Sequence, residues 1–446
     1  MPAPFTVVVA TGLPPEATCL RPEYEQPDLT LSFCGPGRNF ALDTPEIAAA
    51  LGGAVPPRWL DLLEVAAAVY AADVAFLRGE NEDWVRSTRF LIPVRDPAFW
   101  RDAEPQLALA LYVLSHDSYT FDFRVREGSA EAPREPARMA GADCVALLSG
   151  GIDSFAGAAM LLGTGRRPVF VAHRPQNPMV VASQEHVRRW LEQTFGAPLR
   201  CVAAACGPAR GRESGEVEEE LRYPYPPPAE RETSQRTRSF LYMALGALAC
   251  RACGAEQLIC PENGVLAVNV PLTSARVGGY STAGARPQTL VEFRRLIEAL
   301  GLSLSVDNPF LYQTKGQLVG DILRRYFPPE AVQGTLSCWM TGRLSRPCGT
   351  CVPCLVRAVA MHTAGLPPEA HAADPFQTGA EAGPDSAARA NLVDLLTLAG
   401  RFQRLTDAEL LRAYPLLLEL TPEVSLPGVL QMLRRFAAEA HAALGS

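Results

Sequence analysis

Six residues constrain this chain more than the rest of it: Ser149-Gly150-Gly151-Ile152-Asp153-Ser154, set between the apolar run Cys144–Leu148 and the helical apolar pattern Phe155–Leu162. That order reads as strand, glycine loop and helix start. Adjacent glycines let a backbone approach a ligand closely, and the free N–H groups of a helix N-terminus favour an anion. Asp153 and Ser154 are also good capping types, so a turn that only caps a helix competes with a phosphate cradle. The complete string behind a strand favours the cradle. It is not a Walker loop, because the GxxxxGK[ST] pattern is absent.

The second constraint is a cluster of cysteines, Cys338, Cys348, Cys351 and Cys354, within Ser337-Cys338-Trp339 and Pro347-Cys348-Gly349-Thr350-Cys351-Val352-Pro353-Cys354. Four soft thiolates in a short span suit tetrahedral Zn2+ with no position left for water, which is a structural arrangement. An iron–sulfur cluster is the alternative. The other eight of the twelve cysteines lie singly among apolar residues and read as buried thiols, so a reducing, cytoplasmic location is expected.

A chain of 446 residues, 48% hydrophobic and 20% charged, has room for two or three domains. A net charge of −7 argues against a nucleic-acid partner. The apolar run Phe5–Ala10 has no positive region before it, and no long apolar span occurs, so it reads as a strand and not as a signal peptide or membrane anchor.

Residues 1–137 read as an α+β domain, with strands over Asp28–Phe33, Thr88–Val94 and Tyr119–Val125 and helices over Trp59–Leu77 and Pro97–Leu114. Gly128–Pro136 is a plausible linker. Residues 138–365 alternate strand and helix, an α/β pattern that favours a parallel sheet. Its strands are expected at Cys144–Leu148, Val169–Ala172, Leu199–Ala204, Gln257–Cys260 and Ser303–Val306. Ser149, His173 and Glu262 then fall beyond strand C-terminal ends, where ligands gather in such sheets. Gly207–Glu232 is acidic and proline-rich, a surface loop or a lid. Residues 366–446 form a helical extension, read as packing or partner contact.

These pieces together carry a resemblance. The SGGxDS string resembles the loop of the PP-loop ATP pyrophosphatases. A following S-C-[WY]…C-G-x-C-x-x-C-x-x-R, closed by Arg357, is similar to the 7-cyano-7-deazaguanine synthase (QueC) family. His173-Arg174-Pro175-Gln176 stands where that family has a nucleotide-side segment. Arg238-Ser239 resembles its R-N step, and Asn308-Pro309-Phe310 through Lys315-Gly316-Gln317-Leu318-Val319 its lysine segment. Coverage is roughly residues 141 to 365. The resemblance implies ATP as substrate, Mg2+ and Zn2+ as metals, and Ser149, Gly150, Gly151, Asp153, Ser154, His173, Arg174, Gln176, Glu262 and Asn263 around the nucleotide. Lys315, the single lysine of an arginine-rich chain, would set a point charge against the phosphates, or else cap a surface helix. Arg238, at a helix start, would meet an anion or a surface carboxylate. Asp153 could orient Mg2+, cap the helix, or both.

Departures qualify the match. Pro261-Glu262-Asn263-Gly264 replaces the family's substrate stretch, Gln317 stands at a Glu position, and a large N-terminal domain is added. The enlarged pattern, with Pro93-Val94-Arg95-Asp96-Pro97 and Tyr119-Thr120-Phe121, resembles the QueC-like proteins of Qat and type IV CBASS anti-phage systems. That implies adenylation of a 7-deazapurine carboxylate and transfer to an amine, that of a partner protein's N-terminus or ammonia. A homodimer is a further expectation. A tRNA-modifying PP-loop enzyme and a non-catalytic nucleotide-binding scaffold are the competing readings.

Overall fold

The computed structural model describes residues 3–13, 22–35, 37–42, 44–52, 55–79, 84–127, 139, 141–174, 177–209, 223–272, 283–340, 346–373 and 387–444. Gln176, the 128–136 linker and residues 210–222 of the 207–232 loop lie outside them.

The first sheet is built from β1 (Phe5–Val9), β2 (Leu29–Leu31), β4 (Ser87–Val94) and β5 (Ser118–Val125), in the order β2-β1-β4-β5. All its pairings are parallel. On β5 the alternation expected of Tyr119, Phe121, Phe123 and Val125 holds for the first three, which are buried, but Val125 at the strand end is exposed; Phe121 stacks on Phe90 of β4 at 5.4 Å. Helix α3 (Pro97–Ser115) begins where Asp96 accepts a hydrogen bond from the Phe99 N–H at 3.1 Å, with Pro97 pre-set for the first turn.

The sequence gives no hint of two buried ion networks in this layer. Arg95 bridges Asp61 (2.7 Å) and Glu64 (3.1 Å), and Arg126 also meets Glu64 (2.7 Å). Arg78 and Arg86 both grip Asp73 and Asp117. Every one of these carboxylates is paired, so they build the fold and propose no reaction.

The second sheet has the order β10-β9-β6-β7-β8-β3. It comprises β6 (Cys144–Leu147), β7 (Pro168–Arg174), β8 (Cys201–Pro208), β9 (Gln257–Ile259) and β10 (Ser305–Asp307), all parallel. The sixth strand, β3 (Phe40–Leu42), comes from the N-terminal region and pairs antiparallel with β8. Chain order runs outward from β6 through β7 to β8, then returns to β9 on the other side. The segment after β6 therefore sits at the topological switch point, where open α/β sheets bind ligands.

Helix α2 (Pro57–Ala75) is buried over nearly its whole length and packs on α6 (Arg238–Cys253) of the second layer. Its run of Ala66, Ala67, Ala68, Ala71 and Ala72 lets those neighbours come close. One continuous core thus joins Val7, Phe40 and Leu63 to Val145, Phe240 and Phe293. At the C-terminal end, α13 (Ala387–Arg404) packs on α15 (Leu426–Leu444), which also packs on α12 (Val352–Thr363), and the three share a core of Val356, Leu395, Phe402, Leu433 and Phe436. Among the described residues no helix is long and apolar enough to cross a membrane.

Candidate active site

Residues 149–154 form the connection from β6 into α4 (Ile152–Gly163). Ser154 holds the turn closed: its Oγ accepts from the Ser149 N–H (3.1 Å) and donates to the Gly151 carbonyl (3.1 Å). Ser183 of α5 (Pro178–Phe195) donates to the Gly150 carbonyl at 2.8 Å. Gly150 has φ +88°, and a Cβ there would sit 2.9 Å from the Gln184 nitrogen. Glycine is therefore required at this position. Gly150→Ala should cost about 1–3 kcal/mol and abolish any rise in melting temperature that ATP is expected to give the wild type. Differential scanning fluorimetry with and without ATP checks it.

Asp153 is buried, and its Oδ2 accepts from Lys315 Nζ (2.9 Å) and Asn263 Nδ2 (2.9 Å). Burial alone would push its carboxyl up. The Lys315 charge and hydrogen bonds, that of Glu262 included, win and hold it below the usual carboxylate range. These groups come from the ends of β6 and β9 and from a capped turn far along the chain. Asn308 fixes the middle piece: its amide oxygen accepts from the Glu262 N–H (3.2 Å) and its amide nitrogen donates to the Glu262 carbonyl (2.8 Å). Lys315 opens a short helix, α9 (Lys315–Gln317), capped by Thr314. It is the chain's single lysine, against forty arginines.

Asp153 Oδ1 is buried without a hydrogen-bond partner among the described residues, and the Glu262 carboxylate stands beside Asp153. A hard, oxygen-seeking cation fits two such groups. Asp153 and Glu262 are the residues that would hold such a cation.

The remaining expected site residues divide. His173 ends β7 with Nε2 2.6 Å from the Cys206 carbonyl and Nδ1 3.1 Å from the Tyr242 hydroxyl. Burial, with Arg238 nearby, pushes it down to about 4, so it is a neutral, pinned ring at neutral pH. Arg238 starts α6, donates to Gln235 Oε1 at 3.0 Å and stands 5.9 Å over the Tyr242 ring. It is not among the partners of the Asp153–Lys315 group. Arg174 is exposed at the end of β7. Tyr242 went unmarked in the sequence because one aromatic inside an apolar helix carries no signal.

The cysteines converge. The four Sγ atoms of Cys338, Cys348, Cys351 and Cys354 lie within 4.8 Å of one another, and Cys348 Sγ is 3.9 Å from Cys354 Sγ. Four sulfurs at a Zn–S distance of about 2.3 Å would stand roughly 3.8 Å apart. Backbone N–H groups of Met340, Cys348, Thr350 and Cys351 point at Cys338 and Cys348 sulfurs at 3.3–3.4 Å, which favours thiolates. The cluster could bind zinc. Arg357 ties it to the body: it pairs bidentately with Glu369 (both 2.6 Å) and donates to the Val332 and Gln333 carbonyls. Leu336, just ahead of Cys338, places its carbonyl 3.3 Å from where a Gly151 Cβ would be. The cysteine knuckle therefore packs against the glycine loop.

No protein-family model matches the chain. The 7-cyano-7-deazaguanine synthase of Parasynechococcus marenigrum (strain WH8102) is 28% identical over 242 residues, covering 50% of this chain and 94% of that protein. The 7-cyano-7-deazaguanine synthase of Synechococcus sp. (strain CC9605) is 26% identical over 242 residues, with the same coverage. Half of this chain is distantly homologous to these synthases. The parallel sheet, the loop at its switch point and the four-cysteine cluster fit a PP-loop domain. The other half has no counterpart in those synthases.

Proposed function

We propose that this chain uses ATP to adenylate the carboxylate of a 7-deazapurine and passes the acyl group to an amine. One observation carries the reading: the chain's single lysine is buried against the aspartate of its glycine loop, 162 residues away in sequence. Distant homology to the synthases supports the substrate class.

A carboxylate oxygen attacks the α-phosphorus of ATP, and the bond to pyrophosphate breaks. Backbone N–H groups of the 149–154 loop other than those of Ser149 and Gly151, which are bonded within the turn, hold the departing pyrophosphate, and Lys315 offsets the charge that builds on it. Asp153 and Glu262 would hold Mg2+, whose charge would offset that of the phosphate oxygens. The amine then attacks the acyl carbon, AMP leaves with one carboxylate oxygen, and the amine loses a proton.

For the acceptor we propose a partner protein's N-terminus, in an anti-phage operon. An α-amino group has a pKa near 8 against about 10.4 for lysine, so at neutral pH it is unprotonated on the order of a hundred times more often. The chain's own composition suits a protein amine. Guanidinium groups stay protonated and do not attack acyl groups, so a chain with one paired lysine offers few targets to its own intermediate. Sulfur transfer is disfavoured, since Cys250 and Cys253 are buried with thiols pushed up by burial.

Two measurements test the reading. ATP–pyrophosphate exchange should depend on added 7-carboxy-7-deazaguanine; exchange without it, or none with it, counts against adenylation. Mass spectrometry of the co-expressed operon should find a partner N-terminus heavier by one deazapurine acyl group. Free nitrile beside an unmodified partner would make ammonia the acceptor.

A further inference from the structure

The helical extension reaches the site. Helix α15 presents Arg435 and Glu439, one turn apart, to the two residues that cap the Lys315 helix. Thr314 donates to Glu439 Oε1 at 2.7 Å, and Arg435 Nη1 donates to Gln317 Oε1 at 2.8 Å. Thr314 and Gln317 are themselves locked in a reciprocal capping box, each side chain accepting from the other's backbone N–H at 3.2 Å. Between them Gly316 lets α15 and α12 close in: a Cβ there would lie 2.9 Å from Glu439 Oε2 and 2.9 Å from Thr363 Cγ2. A π-helical turn, Leu318–Leu323, follows at once, a distortion frequent at functional sites.

We propose that Arg435 and Glu439 are positioning residues that grip the Thr314–Gln317 box and so hold Lys315 against Asp153. The grip stands on these contacts alone; what Lys315 then does rests on the adenylation reading. A helix with no role in the site would need nothing from the box but apolar packing. Instead α15 spends a half-buried carboxylate on it, with Glu439 Oε2 left without a hydrogen-bond partner among the described residues. Burial pushes the Glu439 carboxyl up against the Thr314 hydrogen bond and Arg435, and Asp321 adds to the rise. A fixed geometry at Thr314 accounts for keeping such a group there.

The single lysine makes the test direct. Full-length protein grown with lysine labelled at 13Cε gives one side-chain resonance, that of Lys315. Glu439→Ala and Arg435→Ala should move or broaden it towards its position in Asp153→Asn. Arg434→Ala, which breaks the neighbouring Arg434–Asp407 pair (2.7 Å) on the same helix, should leave it in place. Glu439→Gln, which keeps an acceptor for Thr314, should restore the wild-type signal. With an adenylation assay, the two alanine variants should lose about 10–100-fold in kcat with little change in KM for ATP. An unmoved lysine signal in folded Glu439→Ala and Arg435→Ala overturns the proposal, whatever the protein's activity. Loss of catalysis in the wild type with a signal that still responds would instead count against the adenylation reading.

Discussion

Lys315→Ala is expected to lower carboxylate-dependent AMP formation by about 10²–10³-fold, the usual cost of removing one charge-stabilising group from a transition state. Lys315→Arg should not rescue it, because a planar fork cannot replace a compact ammonium in a site shaped by Asp153 and Asn263. Stability should fall as well. Removing one partner of a buried pair leaves an uncompensated charge and costs about 3–5 kcal/mol. The sign of the pH effect follows from Asp153. In the wild type its carboxyl is held below its unfolded value, so the pair's contribution is complete above pH ~4 and is lost as pH falls through the lower folded value. Without Lys315, burial pushes the carboxyl up, and the variant should gain stability relative to wild type as the pH drops towards 4. Lys315→Ala/Asp153→Asn should then recover stability at neutral pH but not activity. Thermal melts from pH 4 to 8, beside an AMP assay, separate the two effects.

Loss of the metal is the second large effect. Zinc binding releases on the order of 10 kcal/mol in small finger domains, where it is the folding energy. Here the cysteines share the load with a larger core, so we expect about half of that. At 2–4 °C per kcal/mol, this predicts a fall in melting temperature of roughly 10–20 °C. Cys351→Ser should lose metal and soluble yield together. It should also weaken ATP binding, because Leu336 packs over Gly151 just ahead of Cys338. Elemental analysis of the wild type should return one zinc per chain. No metal, or visible iron–sulfur absorption, contradicts this.

What the sequence made legible was local. The glycine loop and the cysteine knuckle each lie within a short span, so spacing alone was enough to group their residues. Strand alternation placed Tyr119, Phe121 and Phe123 on one buried face for the same reason. Contacts between distant segments were harder. Lys315 was singled out by type, yet nothing in its neighbourhood announced Asp153 as its partner. The strand Phe40–Leu42 has three residues and pairs with a strand beyond position 200, too short a run to register as periodic. It links the N-terminal region to the second sheet, and the shared core around α2 does the same, so a cut near residue 137 divides the sequence more cleanly than the packing. The last helix was read as packing or partner contact. Its amphipathic stripe was legible, but the same helix carries Arg435 and Glu439, and charged residues at a stripe's edge look like any solvated face.

The central claim is that the carboxylate becomes bonded to AMP, and an isotope follows that bond directly. With 7-carboxy-7-deazaguanine carrying 18O in its carboxylate, ATP and an amine acceptor, the account predicts pyrophosphate and AMP in equal amounts, with one 18O atom in each AMP. AMP free of 18O, or ADP and phosphate in place of AMP and pyrophosphate, would contradict it.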